Sequence, residues 1–343
     1  MTILLTGAGG SIGSALAKAI VASGPRLLVL LDHAEGNLHR IASELAALGG
    51  RAEHVPILGD VGDAALLAEI FERYQPEVVY HAAAFKHVPL AEVNPIAAVA
   101  NNAIGTLDLA KAARRCGVPK LIMISTDKAV NPLSVMGASK RVAELALLRW
   151  SNAECRMVAL RLGNVLGSEG SVVPLFREQI SRGGPVTVTH PGVSRYFLSM
   201  TEAVRLVLAT EALGDERGIF VPKMKEPVKI VDLARHLIRE AGLELERDIK
   251  IVFTGLRPGD KMAEELVAAG ESAEPSSVAG LHRILSPQQS PDSFDRAMQE
   301  LAEGSGRRDL DCVVETLCRL VPEYRPSETL LRCLNRLPAQ VKA

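Results

Sequence analysis

Short runs of uninterrupted apolar residues alternate with longer amphipathic stretches through the first two-thirds of the chain. The apolar runs at 3–5, 27–31, 53–58, 78–81, 120–124 and 157–160 predict strands. Most show no polar alternation, as expected when helices cover both faces of a sheet. Between them, 12–23, 38–48, 64–73, 95–115 and 137–150 carry apolar residues at a spacing near 3.6 and predict helices. Strand and helix in regular alternation predict an α/β fold, a doubly wound parallel sheet.

After Arg161 the rhythm loosens. Residues 163–195 are rich in Gly, Ser, Pro and Val around a helix near 173–181, and 201–212 predicts a helix returning to the sheet. Residues 214–268 mix short strands (218–221, 249–253) with helices at 230–241 and 261–268. The expected division is a nucleotide-binding unit over 1–165, rejoined by 197–213, and a smaller discontinuous α/β substrate lobe from 166–196 and 214–268. An exposed connection (269–292) and a small helical tail (293–337) complete the reading of 269–343. No internal repeat is visible.

Composition narrows the classes. Aromatics at 3% are too few for base-stacking platforms, and a net charge of −1 without a basic run excludes an evident nucleic-acid or anionic-lipid surface. The five cysteines show no CxxC and no His-paired spacing, so reduced thiols are expected and no metal. No run of 18 apolar residues occurs, and the first residues enter a strand directly. A cytoplasmic protein without a membrane segment is the expectation.

The glycine loop Gly7, Gly9, Gly10, Ser11, Ile12, Gly13 lies between the first strand and first helix. Gly7 permits a tight turn, Gly10 lets backbone approach a pyrophosphate, Gly13 allows close helix–sheet packing, and the helix N-terminus faces the phosphates. Asp32 ends the second strand, where a carboxylate accepts from ribose hydroxyls and repels a 2′-phosphate, favouring NAD over NADP; His33 and Arg40 weigh the other way. Asp60 and Val61 follow the third strand; Asp60 meets an adenine edge or caps the next helix. Ala82, Ala83 and Ala84 leave room for a cofactor after the fourth strand. Lys86 and His87 sit on the following loop, at the ligand-binding end of such sheets. Asn102 is either a cofactor contact or a structural hydrogen-bonder inside 95–115. Thr126, Asp127 and Lys128 follow the fifth strand, and Lys140 lies on the first turn of the helix expected over 137–150.

Residues 6–13, 31–33, 81–90, 125–130, 136–141 and 161–174 together resemble the CapD-like polysaccharide-biosynthesis family, as do 183–191, 195–197 and 255–261 with Glu264 and Glu265. These are extended short-chain dehydrogenase/reductases with a Rossmann unit, best known for UDP-N-acetylglucosamine 4,6-dehydration. The resemblance covers roughly 1–268. It implies bound NAD, a UDP-N-acetylhexosamine substrate and a polysaccharide or rare-sugar pathway. It also implies a homo-oligomer with helices 95–115 and 137–150 at its seam. The family splits at the position four before Lys140. Where many relatives carry a catalytic Tyr, this chain has Met136, which can neither take nor give a proton.

The implied cycle removes hydride from sugar C4, eliminates water across C5–C6 and returns the hydride to C6. Asp127 is then the acid for the C6 hydroxyl and Lys128 the base at C5, with Thr126 relaying the C4 proton to Asp127 or Lys140. To act as base, Lys128 must be neutral, roughly three pH units below its free value. Lys140 holds the nicotinamide ribose. In the substrate lobe, Arg195 and Arg257 are the expected diphosphate partners. Asn164, Gly170, Ser171 and Val172 contribute around them, with Lys261 and Glu265 at the nucleotide. Glu169 and Ala263 depart from the family pattern. A UDP-sugar 4-epimerase, a dehydratase that also inverts C5, and a catalytically silent NAD-binding regulator are the alternatives.

Overall fold

The computed structural model describes residues 1–49, 52–286 and 290–334. Nine strands form one sheet: β1 (Thr2–Thr6), β2 (Leu27–Asp32), β3 (Glu53–Leu58), β4 (Val78–His81), β5 (Lys120–Thr126), β6 (Arg156–Leu162), β7 (Gly218–Pro222), β8 (Ser272–Pro275) and β9 (Leu281–Leu285). Their order is β8-β9-β7-β6-β5-β4-β1-β2-β3, parallel from β3 to β7, with β9 and β8 added antiparallel. Every residue of β1, β2 and β4 is buried, whereas no residue of β3, at the edge, is fully buried.

Helices close both faces. Ser11–Ala22, Glu35–Ala47 and Met200–Ala209 pack on one side through Leu16, Ile20, Leu38, Ile41 and Val207. Ala64–Tyr74, Gly105–Arg115 and Val135–Trp150 pack on the other through Leu67, Phe71, Leu109, Ala143 and Leu147. Strand order reverses between β1 and β4, and the crevice beyond their carboxyl ends is where such sheets bind ligands. Beside it, Val172–Ser181 and Ile230–Glu240 build a small core around Phe176, Val186, Leu237 and Ile249.

Several expectations change. The strand at 218–221, assigned to the lobe, is β7 of the main sheet, paired with β6. The segment expected as connection contains β8 and β9. No helix forms over 261–268. Carbonyls that a helix would use internally instead accept from distant guanidinium groups: Lys261 and Met262 from Arg195, Leu266 from Arg161. The helix expected from 137 begins at Val135, because Glu92 Oε1 accepts from Val135 N (2.7 Å) and Ser134 Oγ from Gly137 N. Lys140 therefore stands in the second turn, one turn beyond Met136 on the same face. The continuous helix expected over 95–115 is broken by a π-helical turn, Ala100–Ile104.

The tail helices Pro291–Gly306, Leu310–Leu320 and Glu328–Cys333 pack on Val99, Leu107, Val142 and Ala146. The tail thus covers, within one chain, part of the face expected as a seam between copies. It also reaches the start of the helix Val135–Trp150: Ser327 Oγ donates to Glu92, the residue that holds Val135 N, and Arg325 N donates to Pro132 O. Among the described residues, no helix is long and apolar enough to cross a membrane.

Candidate active site

A cleft of about 670 Å³ runs from the glycine turn to the lobe. Gly7 adopts φ +66°, and a Cβ there would lie 2.5 Å from Ala83 N; a Cβ on Gly13 would lie 1.9 Å from Gly7 O. The turn therefore presses against the end of β4 and excludes side chains at both positions. Ser11–Ala22 starts at Gly10 with no side-chain cap, and Gly10, Ser11, Ile12 and Gly13 line the cleft. Uncapped amides at the start of a 12-residue helix suit an anion such as a pyrophosphate.

Beyond Gly9 lies a polar corner. Asp32 is buried and accepts from Gly9 N (2.8 Å) and Ala34 N (2.9 Å), leaving lone pairs for further donors. Arg40 Nη2 donates to Gly9 O, and His33 Nδ1 lies 3.7 Å from Asp60 Oδ2. Asp60 caps its own turn at Gly62 N. Helix Ala64–Tyr74 is capped by Asp63 instead, and Val61 is buried. Ala82, Ala84, Lys86 and His87 line the cleft. Asn102 does not. It is fully buried in the π turn, accepting from Phe85 N and donating to Phe85 O and Ser139 Oγ, so it shapes the loop rather than facing the cleft.

Thr126, Lys128, Met136 and Lys140 converge on the cleft wall with Asn164. Asp127 sits behind them, fully buried, because the 3-10 turn Asp127–Ala129 turns it inward while Lys128 points out. Its Oδ1 accepts from both Thr126 Oγ1 and Lys128 Nζ, each at 2.9 Å. Lys128 Nζ also donates to Asn164 Oδ1 (3.1 Å) and lies 3.4 Å from Glu264 Oε1. Burial pulls the Lys128 pKa down, but the Asp127 and Glu264 carboxylates outweigh it and hold the amine above its ordinary value. The resting group is an ammonium, opposite to the state the base role requires.

Lys140 goes the other way: burial lowers it from 10.5 to about 8, with Glu144 only partly opposing. Nearby His81 is held neutral by burial, with Lys140 adding to the effect, at about 3. The single Thr106 hydroxyl proton goes to Asn102 O, so Thr106 accepts from His81 Nε2–H and Nδ1 accepts from Thr6. Behind Lys140, Arg161, Glu144, Arg141 and Glu271 form a buried ion network that also holds Ser125. This network did not stand out in the sequence, where its charges read as ordinary helical or surface ones; Glu264 is part of the resemblance, but its approach to Lys128 is not legible there.

The lobe residues divide. Gly170, Ser171 and Val172 line the cleft, and Gly170 presses against the His87 ring. Lys86 Nζ donates to Glu169 O and Ser11 Oγ accepts from Glu169 N, so this backbone bridges the two sides. Arg195, expected at phosphates, does not face the cleft: it is buried, bonded to Ser194, Lys261 and Met262 carbonyls, with Nε 3.5 Å from Glu264. Lys261 donates to Val130 O, Glu265 accepts from Asn131, and Arg257 is exposed and paired with Asp260; none lines the cleft. Among the described residues no cluster fit to hold a metal ion occurs.

A family model described as a polysaccharide biosynthesis protein matches residues 3–285. The chain belongs to that family. Capsular polysaccharide biosynthesis protein CapD of Staphylococcus aureus is 44% identical over 338 residues, 98% of this chain and 53% of CapD. The chain spans about half the length of that relative. A UDP-glucose 4-epimerase of Rickettsia rickettsii (strain Sheila Smith) is 32% identical over 291 residues, 82% of each protein. Among solved structures, Pen from Bacillus thuringiensis matches with TM-score 0.75 and 29% identity over 84% of this chain and 87% of Pen. DesIV, a dTDP-glucose 4,6-dehydratase from Streptomyces venezuelae solved with NAD and TYD, matches with TM-score 0.69 over 90% of this chain and 98% of DesIV. At 20% identity, that likeness is one of fold.

Proposed function

We propose that this chain dehydrates a UDP-N-acetylhexosamine, UDP-N-acetylglucosamine above all, to a UDP-4-keto-6-deoxy sugar with NAD as resident cofactor. The observation that carries this reading is the Lys128–Asp127–Thr126 triad, an acid–base pair that C4 redox chemistry alone does not need. NAD fits the residues present: side-chain-free Gly7 and Gly13, an uncapped helix at the pyrophosphate position, and Asp32 where a 2′-phosphate would meet like charge. When bound, NAD supplies a hydride acceptor for C4 and a donor for C6.

The triad supports a closed proton loop. At rest Lys128 is an ammonium and Asp127 a carboxylate. A proton crossing their 2.9 Å bond leaves a neutral amine at the cleft and a protonated Asp127 behind it. The amine takes the C5 proton. Asp127, which does not line the cleft, returns its proton through Thr126, which does, to the departing C6 oxygen. Water leaves with Lys128 and Asp127 in their resting states; as C6 receives the hydride, Lys128 gives a proton back to C5, and the proton lost from the C4 hydroxyl to Lys140 recharges Lys128 through the solvent of the cleft. The base role therefore needs only an internal shift, not net deprotonation of Lys128. Lys140, partly neutral near pH 8, is the acceptor for the C4 hydroxyl proton that Met136 cannot take.

The likeness to UDP-glucose 4-epimerases favours C4 epimerisation as the second reading. Incubation with UDP-N-acetylglucosamine in deuterated water, followed by NMR, separates the two. A 4-keto-6-deoxy product carrying deuterium at C5 is expected, and its C5 configuration reports retention or inversion. UDP-N-acetylgalactosamine as sole product would sink the dehydratase reading.

A further inference from the structure

We infer that Glu264 is a positioning residue for Lys128, fixing its amine at the cleft and opposing passage of its proton to Asp127. This rests on the roles proposed above for Lys128 and Asp127. Glu264 comes from the irregular segment after residue 260, far in sequence from Lys128. Yet its buried carboxylate lies 3.4 Å from Nζ. The oxygen that faces it, Oε1, also lies 3.5 Å from Arg195 Nε, and Oε2 lies 4.0 Å from Lys261 Nζ. Glu264 Oε2 is buried and accepts no hydrogen bond among the described residues.

The charged groups around Nζ are thus Asp127 from its own turn, Glu264 from the lobe segment, and Arg195 and Lys261 beside Glu264. Asp127 and Asn164 accept from the amine, and Glu264 faces it as an ion pair at 3.4 Å. When an N–H bond of Lys128 breaks and an O–H bond on Asp127 forms, Glu264 loses the cation it faces. Its charge therefore favours the ammonium–carboxylate state, while Arg195 and Lys261 draw that charge away. Glu264→Gln keeps the shape and an acceptor oxygen but removes the charge. An opposite charge at this range moves a pKa by about 1–3 units, so the neutral fraction of Lys128 should rise about tenfold or more.

Competitive labelling of the full chain with acetic anhydride across pH, read by mass spectrometry of the Lys128 peptide, measures this directly. Exposed Lys225 serves as internal standard. The Lys128 midpoint should fall by about one pH unit or more in Glu264→Gln and by less in Glu264→Asp, with Lys225 unchanged. Equal Lys128 midpoints in wild type and variants would overturn the inference. The basic limb of the kcat–pH profile should shift down with the labelling midpoint. A lower kcat with both limbs in place would mark Glu264 as merely structural. Labelling shifts without any sugar conversion by wild type would retire the dehydratase reading and leave the Glu264–Lys128 coupling standing. Should Glu264→Gln not fold, Glu264→Asp carries the same comparison.

Discussion

Lys140→Met should stabilise the protein while abolishing turnover. Lys140 is 4% exposed and its amine is drawn from 10.5 to about 8 by burial. At neutral pH the folded chain therefore carries a charge its surroundings disfavour. At 1.36 kcal/mol per pH unit the gap corresponds to about 3 kcal/mol. Methionine keeps the unbranched apolar stem and removes the amine. With unfolding entropy of about 2.1 cal/mol/K per residue, the thermal midpoint should rise by about 4 °C. The sign of the pH dependence follows from the lowered pKa. Between about pH 8 and 10.5 the unfolded chain binds more protons than the native one, so wild-type stability from this group rises with pH. The advantage of the variant should thus be full below pH 8 and fade as pH approaches 10.5. Urea unfolding of both proteins at pH 7, 8, 9 and 10 measures it. A variant no more stable at pH 7, or a gap that does not change with pH, would refute the argument.

Two further outcomes are expected. Gly13→Ala should lose NAD and fall in stability together, because its Cβ would sit 1.9 Å from Gly7 O; retained NAD absorbance and an unchanged melting curve would contradict this. Glu271, pulled from 4.5 to about 2 by Arg161 and Arg141 against the effect of burial, contributes stability above pH 4.5 that is lost as pH falls toward 2. Glu271→Gln should be less stable at pH 7 and show a flatter acid-unfolding profile between those limits, followed by circular dichroism.

The sheet was legible because its central strands are apolar along their whole length, a pattern only two-sided burial explains. β3 and β4 fall where the pattern puts them. β8, Ser-Ala-Glu-Pro at an exposed edge, carries no apolar signal to read. The segment 261–268 mimics a helix in spacing, but its carbonyls are claimed by Arg195 and Arg161, contacts no local pattern encodes. Ser134 could have announced the helix start at Val135; the Glu92 cap from another element could not. Thr126 and Lys128 are at the cleft, as their place at a strand end suggested. That Asp127 turns away, and that Glu264 faces Lys128, depends on a single 3-10 turn and on a long-range approach invisible to adjacency.

The hydrogen bond from Ser327 to Glu92 has a consequence for the order in which the protein is made. Once residue 285 has emerged from the ribosome, all nine strands are free to pair, and the sheet can close. Glu92, which holds the first amide of the helix carrying Met136 and Lys140, still lacks its partner. At about 5–20 residues per second, Ser327 follows only seconds later. Until the helices Leu310–Leu320 and Glu328–Cys333 emerge and dock, a nascent chain can hold a finished sheet and an unfinished candidate site.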